Sequence, residues 1–292
     1  MYIERLKCDC KLLDVPIAHK GVFGKTILEN SFEAIKTAID MNIPFEIDIV
    51  KTKDNVPVIY HDFTITIDGV VYSISELTLN QLRRISPNSK SILTLAECIS
   101  LNNGKVPMVL DFKETSFFKL NEYRKQIVTL LSNYTGEYAI QSFNPFFVST
   151  MGKHLPKAIR GQLICRGKTL IDTFTLKHPK FSSNTYEKLM STICYIARAD
   201  YIGLEISKSK KWKTKIQKYL YDATDEVQNT VVEITSKVTK KPVIGWTLTD
   251  LKELDIAPEV FDNYIFEPDT FENYINFYEQ IKASIQERKM CN

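Results

Sequence analysis

Three residues, Lys53–Asn55, are all that separates the apolar run FEIDIVKT (45–52) from the next one, VPVIYH (56–61). A parallel crossover takes roughly a dozen residues, whereas an antiparallel hairpin closes over about two to five. The second run must therefore fold back on the first. Other apolar runs of strand length are VPIAH (15–19), VPMVLDFK (106–113), EYAIQSF (137–143), AIRGQLI (158–164), DYIGLEI (200–206), PVIGWTL (242–248) and NYIFEP (263–268), set apart by longer stretches. The clearest helix among those stretches is SFEAIKTAIDM (31–41), with Ser31 as N-cap and apolar residues at Phe32, Ile35, Ala38 and Ile39. Alternation of strand and helix favours parallel pairing. With the hairpin return set aside, eight strands remain. The pattern predicts an α/β chain folded as a (β/α)8 barrel with a β-hairpin after strand 2 and its site at the C-terminal strand ends. A doubly wound open sheet is the alternative, but no G-x-G-x-x-G loop follows any strand.

The short loop also brings side chains together. A three-residue loop pairs Thr52 with Val56 and sets His61 opposite Ile47, whereas a two-residue loop sets it opposite Asp48. In either register His61 returns beside Glu46 and Asp48, which share one face of their strand because strand side chains alternate. Two carboxylates in a water-poor barrel mouth repel, and one tends to hold its proton unless a hard divalent cation, Mg2+ or Ca2+, takes up the charge. Asp111 in VLDFKE is a third acid near a strand end, and Lys113 lies on its face two residues on. His19, followed by Lys20 and Gly21, ends the first run. Cation, lysine and two histidines suit an anionic oxygen substrate, with a phosphate ester the natural choice; one imidazole takes a proton and the other gives one. Trp246 belongs either to the core or to the rim of the substrate pocket. His154 and His178 lie in less regular sequence and receive no role, and the basic run 207–215 reads as a solvated face.

Bulk properties narrow the class further. The 292 residues carry a net charge of only +3, with 44% hydrophobic and 25% charged residues, which gives no reason to expect a nucleic-acid partner. Six cysteines show neither metal-ligand spacing nor a disulfide framework, and no segment approaches the ~20 apolar residues of a membrane span. No linker-like stretch divides the chain. The expectation is one domain over 1–292, cytoplasmic, without stable membrane insertion, and acting on a small-molecule phosphodiester.

These residues resemble the glycerophosphodiester phosphodiesterase family, whose signature runs H-R-G, P-E-N-[ST], E-x-D and a V-V-x-H-D hairpin. Here the matching text is AHKG, LENS and EIDIVKTKDNVPVIYHD, then VLDFK, IQSF and IGWTL, in order from His19 to Trp246. The resemblance implies a metal-dependent barrel that hydrolyses glycerophosphodiesters to an alcohol and glycerol 3-phosphate. It implies His19 and His61 as the acid–base pair, Glu46, Asp48 and Asp111 as metal ligands, and Lys113 on the phosphate. Glu29 and Asn30 match the family's E-N pair near metal and phosphate. Lys20 stands where the family has arginine, Leu28 where it has proline and Asp111 where it has glutamate, while YIFEP replaces a T-D-x-P ending. About forty residues follow His61 before the next barrel strand. That is room for a short hairpin and one or two helices rather than an insertion domain, so an open pocket is expected.

Rival readings are a phospholipase D-like enzyme on lysophospholipids or sphingomyelin, its apolar entrance supplied by 165–200, and a non-catalytic barrel that binds phosphate esters. A glycoside hydrolase fits poorly, because acids at 46 and 48 on one strand cannot flank a glycosidic bond from opposite sides.

Overall fold

A computed structural model of the chain describes residue 12 and residues 14–86, 92–113, 121–164, 192–206, 241–255 and 261–291. The basic run 207–215, His178 and residues 165–191 of the expected apolar entrance lie outside them. Eleven strands are described: β1 (Ile17–Ala18), β2 (Phe45–Lys51), β3 (Pro57–Ile59), β4 (Thr64–Ile67), β5 (Val70–Ser73), β6 (Met108–Phe112), β7 (Tyr138–Ser142), β8 (Ile159–Ile164), β9 (Tyr201–Glu205), β10 (Val243–Leu248) and β11 (Asn263–Phe266). Each of the nine runs expected to be strands holds one of them. Eight of these, β1, β2 and β6 to β11, pair in parallel in ring order, and β1 closes the ring by pairing with both β11 and β2. This is the expected (β/α)8 barrel.

β3 runs antiparallel to β2, with Ile49 opposite Ile59 and Lys51 opposite Pro57. Counting inward sets Thr52 opposite Val56, the register of the three-residue loop, and Thr52 N donates to Val56 O at 3.1 Å. Asn55 occupies the left-handed region at φ 63, which closes such a loop, and Asn tolerates it. A second hairpin, β4–β5, turns on Asp68-Gly69, both with positive φ. It is followed by helices α2 (Leu79–Ile85) and α3 (Leu95–Asn102), so the described part of this connection is the expected hairpin and two helices.

Alternation along the strands sorts the two sides of the barrel wall. Phe45, Ile47 and Ile49 of β2 face outward and join Leu110, Phe112, Ile140 and Leu204 against the helices. There they meet Ile35, Ala38 and Ile39 of α1 (Phe32–Asp40), whose N-cap Ser31 accepts from Ala34 N as expected. Phe32 differs from the expectation: in the first turn of α1 it remains 37% exposed, short of the apolar layer. Inside the barrel Ile17, Val109, Ala139, Tyr201, Ile244 and Ile265 form an apolar plug. Gly161 has no side chain because a Cβ there would stand 2.3 Å from the Tyr201 ring, whose hydroxyl donates to Gln141 across the lumen. Above this plug the inward positions become polar.

Candidate active site

Glu46 and Asp48 point inward from β2, and the β2–β6 register sets Asp48 directly beside Asp111. One carboxylate oxygen from each of the three lies within 4.8 Å of the others, and the residues are only 2%, 1% and 4% exposed. Such a cluster needs countercharge. Lys113 Nζ supplies some, at 2.8 Å from Asp48 Oδ1 and 2.5 Å from Asp111 Oδ2.

The electrostatics divide the three acids. Burial, reinforced by Asp48 and Asp111, pushes the Glu46 carboxyl well above its ordinary range. Burial also raises Asp111, and Lys113 offsets this only in part. For Asp48 the burial effect is outweighed by Lys113, His61 and a hydrogen bond from Asn30, so its carboxyl lies below the usual value. Burial disfavours the Lys113 ammonium, yet the three carboxylates hold it far into the charged form. One carboxyl of the group thus tends to keep its proton, as expected for crowded acids without a cation.

A divalent cation fits these donors. All three are hard oxygen ligands, and Asp111 Oδ1 is buried with no hydrogen-bond partner, an acceptor without a donor. The cluster could hold a metal ion, and Asp111, although shorter than the glutamate of the resembled family, brings a carboxylate oxygen into the cluster.

His61 lies two residues past the end of β3, and its imidazole is among the groups that lower Asp48 and Asp111. Its Nδ1 bonds Asp62 Oδ1 at 2.8 Å, and its side chain is 47% exposed. His19 follows β1, with Nε2 4.0 Å from Glu46 Oε2. Lys20 and Asn30, at φ 55 and 56, shape the loop between β1 and α1. Asn30 clasps Asp48, donating from Nδ2 to Oδ2 at 2.8 Å and accepting the Asp48 backbone N–H at 3.1 Å. Lys20 donates its backbone N–H to Glu46 at 3.1 Å and its ammonium to Glu29 at 2.9 Å. Glu29 therefore meets Lys20, while the three-acid cluster is Glu46, Asp48 and Asp111. Trp246 sits on the inner wall of β10, edge-on to Phe143 with ring centroids 5.8 Å apart, and its indole Nε1 is buried without a hydrogen-bond partner.

Glu267 is the residue that sequence reasoning passed over. It follows β11, and its Oε2 lies 2.6 Å from His19 Nδ1. The only signal was its place at the end of the last strand run, which becomes informative once the ring is known to close.

Comparison with known proteins accords with this geometry. The sequence model of the glycerophosphoryl diester phosphodiesterase family matches residues 19–192. The glycerophosphocholine phosphodiesterases of Eremothecium gossypii and Candida albicans are 43% identical over 74 residues and 36% identical over 98. These alignments cover 22% and 30% of this chain but only 6% and 8% of those much longer proteins. Among solved structures, a glycerophosphodiester phosphodiesterase from Thermotoga maritima superposes with a TM-score of 0.60 at 17% identity, covering 90% of this chain and 98% of its own. One from Parabacteroides distasonis gives 0.62 at 16%, with 94% and 98% covered. An Oleispira antarctica phosphodiesterase, in complex with the product sn-glycerol-3-phosphate, gives 0.59 at 19%, with 93% and 97% covered. The structural likenesses establish the barrel. The family model takes in more than half of the chain, from His19 through the acid cluster to Lys113, and the chain accordingly belongs to the glycerophosphoryl diester phosphodiesterase family.

Proposed function

We propose that this chain hydrolyses glycerophosphodiesters to an alcohol and glycerol 3-phosphate. The observation that carries this reading is the convergence of Glu46, Asp48 and Asp111 on one point, with His19 just past β1 and His61 just past β3, two strands that each pair with β2. Family membership and the names of the matched relatives support it.

The three acids would hold Mg2+ or Ca2+, since an all-oxygen donor set suits either. When bound, such an ion supplies positive charge and Lewis acidity toward a phosphoryl oxygen. The protein's own groups do the rest. Lys113 stands against the cluster with its ammonium held charged, ready to pair with a non-bridging phosphate oxygen. Lys20, held by Glu29, adds a second cation on the β1 side. Asn30 fixes Asp48 in place. His19 and His61 hand protons on and off the attacking and leaving oxygens. Trp246 and Phe143, across the mouth, offer an apolar wall to the organic part of the diester. We read the chain as a single cytoplasmic domain. In support, no described helix is long and apolar enough to cross a membrane, and Cys98 and Cys194 are buried free thiols.

The test is direct. Purified protein is incubated with glycerophosphocholine or glycerophosphoethanolamine and Mg2+ or Ca2+, and glycerol 3-phosphate is assayed enzymatically. Release should require the metal, and His19→Ala or His61→Ala should each reduce kcat by about 10²- to 10⁴-fold. Failure of every head group with both metals would refute the activity.

One observation favours a second reading, in which a lysophospholipid is the substrate. Leu28, two residues before Asn30, and Phe63, two residues after His61, are 60% and 54% exposed. Apolar side chains beside site loops suit a lipid tail. Faster turnover of lysophosphatidylcholine than of glycerophosphocholine would select this alternative.

A further inference from the structure

The imidazole of His19 is held from behind. Parallel pairing of β1 with β11 sets Ala18 opposite Phe266, so His19 and Glu267 are the next pair, both just past the C-terminal strand ends. His19 N donates to Phe266 O at 2.9 Å, tying the two backbones there, and Glu267 N donates to Leu248 O of β10 at 2.9 Å, anchoring Glu267 from its other side. On this frame Glu267 Oε2 lies 2.6 Å from His19 Nδ1, while the other ring nitrogen, Nε2, faces the acid cluster 4.0 Å from Glu46 Oε2. The His19 side chain is 21% exposed and that of Glu267 33%, so water competes only partly for this bond.

An ionised carboxylate accepts hydrogen bonds and donates none, so the Nδ1 that faces it carries the proton. In a neutral ring that leaves Nε2 as the nitrogen with a free lone pair. We propose that Glu267 is a positioning residue for His19, fixing the tautomer in which Nε2 is a proton acceptor directed into the site. The inference rests on the phosphodiesterase reading and gives His19 the part of base. Nε2 takes the proton of the attacking hydroxyl as its oxygen bonds to phosphorus. The bond from phosphorus to the leaving oxygen breaks, and that oxygen takes a proton from His61. His61 has its own carboxylate, Asp62, on Nδ1 at 2.8 Å, but the pair is 47% and 68% exposed and adjacent in sequence, a weaker constraint than the one across the barrel seam.

The experiment has two arms. Histidine-labelled 15N protein, at about pH 8 where an ordinary imidazole is neutral, reports which ring nitrogen carries the proton. With four histidines in the chain, the His19 signals are assigned by their loss in His19→Gln. Wild type should show Nδ1–H at His19. Glu267→Gln can offer an amide N–H to Nδ1 instead, and should move the proton toward Nε2. In the kinetic arm Glu267→Gln should lower kcat by about 100-fold or more, with KM nearly unchanged, and Glu267→Asp should recover part of the loss. An unchanged tautomer and unchanged kcat in Glu267→Gln would overturn the proposal, as would a rise in KM alone. If the wild type proved inactive on every diester, the proposed activity would fall, yet the 15N arm would still decide whether Glu267 governs His19.

Discussion

Glu46 shows how much one buried side chain can depend on what is bound beside it. Its carboxyl titrates well above the ordinary 4.5 because burial and two neighbouring acids oppose its charge. An acid whose pKa is raised by folding keeps its proton longer in the native state than in the unfolded one, so stability declines as pH rises above the unfolded value. Metal-free protein should therefore lose thermal stability from mildly acidic to neutral pH, and Glu46→Gln should flatten that slope. Saturating Mg2+ or Ca2+ should reverse the loss, by about 2.7 kcal/mol at a hundredfold excess over Kd. Differential scanning fluorimetry with and without chelator measures all three, and a Glu46→Gln profile parallel to wild type would sink the account. The shared placement of Glu46 and Asp48 was legible in the primary structure, because period-two alternation puts residues 46 and 48 on one face whatever the rest of the chain does. The engagement of Lys20 with Glu29 and of Asn30 with Asp48 was not. It depends on left-handed residues at 20 and 30 that curl the loop back on itself.

At the scale of an element, the β2–β3 hairpin delivers His61. Its loop is held by Thr52, whose hydroxyl donates to Asp54 Oδ1 at 2.7 Å and accepts from Val56 N at 3.0 Å, and by Asn55 in the left-handed region. A β-branched residue there should cost about 1–2 kcal/mol, so Asn55→Val is expected to lower stability by that amount in urea denaturation. On the proposed function it should also depress turnover by displacing His61, whereas Asn55→Gly should preserve both. Strand positions were readable from local periodicity, and the short gap narrowed the hairpin to two registers, of which the structure holds that of the three-residue loop. Phe32 was assigned to the apolar face of α1 on the same kind of evidence and lies at the exposed rim instead, since helical spacing cannot tell how far the covering layer extends.

For the whole molecule the decisive event is closure of the ring. β1 has only two residues, and its seam with β11 is reinforced by Asn263, fully buried, whose Nδ2 donates to Leu12 O at 2.6 Å and Val15 O at 2.7 Å. Removing that amide leaves the buried Leu12 carbonyl without this donor, at about 1–3 kcal/mol, and takes a second bond from the part-buried Val15 carbonyl. Asn263→Ala should lower the unfolding free energy by at least about 2 kcal/mol. Hydrogen exchange should locate the loosening at residues 17–19 and 263–267, and an evenly spread change would argue against the seam as the weak point. Loosening it should also disturb the His19–Glu267 pair.

The primary structure alone determined that there are eight parallel strands and one antiparallel return, and that two acids share a face of the strand on which that return folds back. Each of these depends on a spacing of a few residues, and backbone geometry converts such spacings directly into position. Tertiary structure alone decided that Asp48 and Asp111 would share one lysine and that Glu267 would stand behind His19, 248 residues away along the chain. Contacts of that kind exist only after the sheet has curled and closed, when strands remote in sequence become neighbours and their end residues face one another.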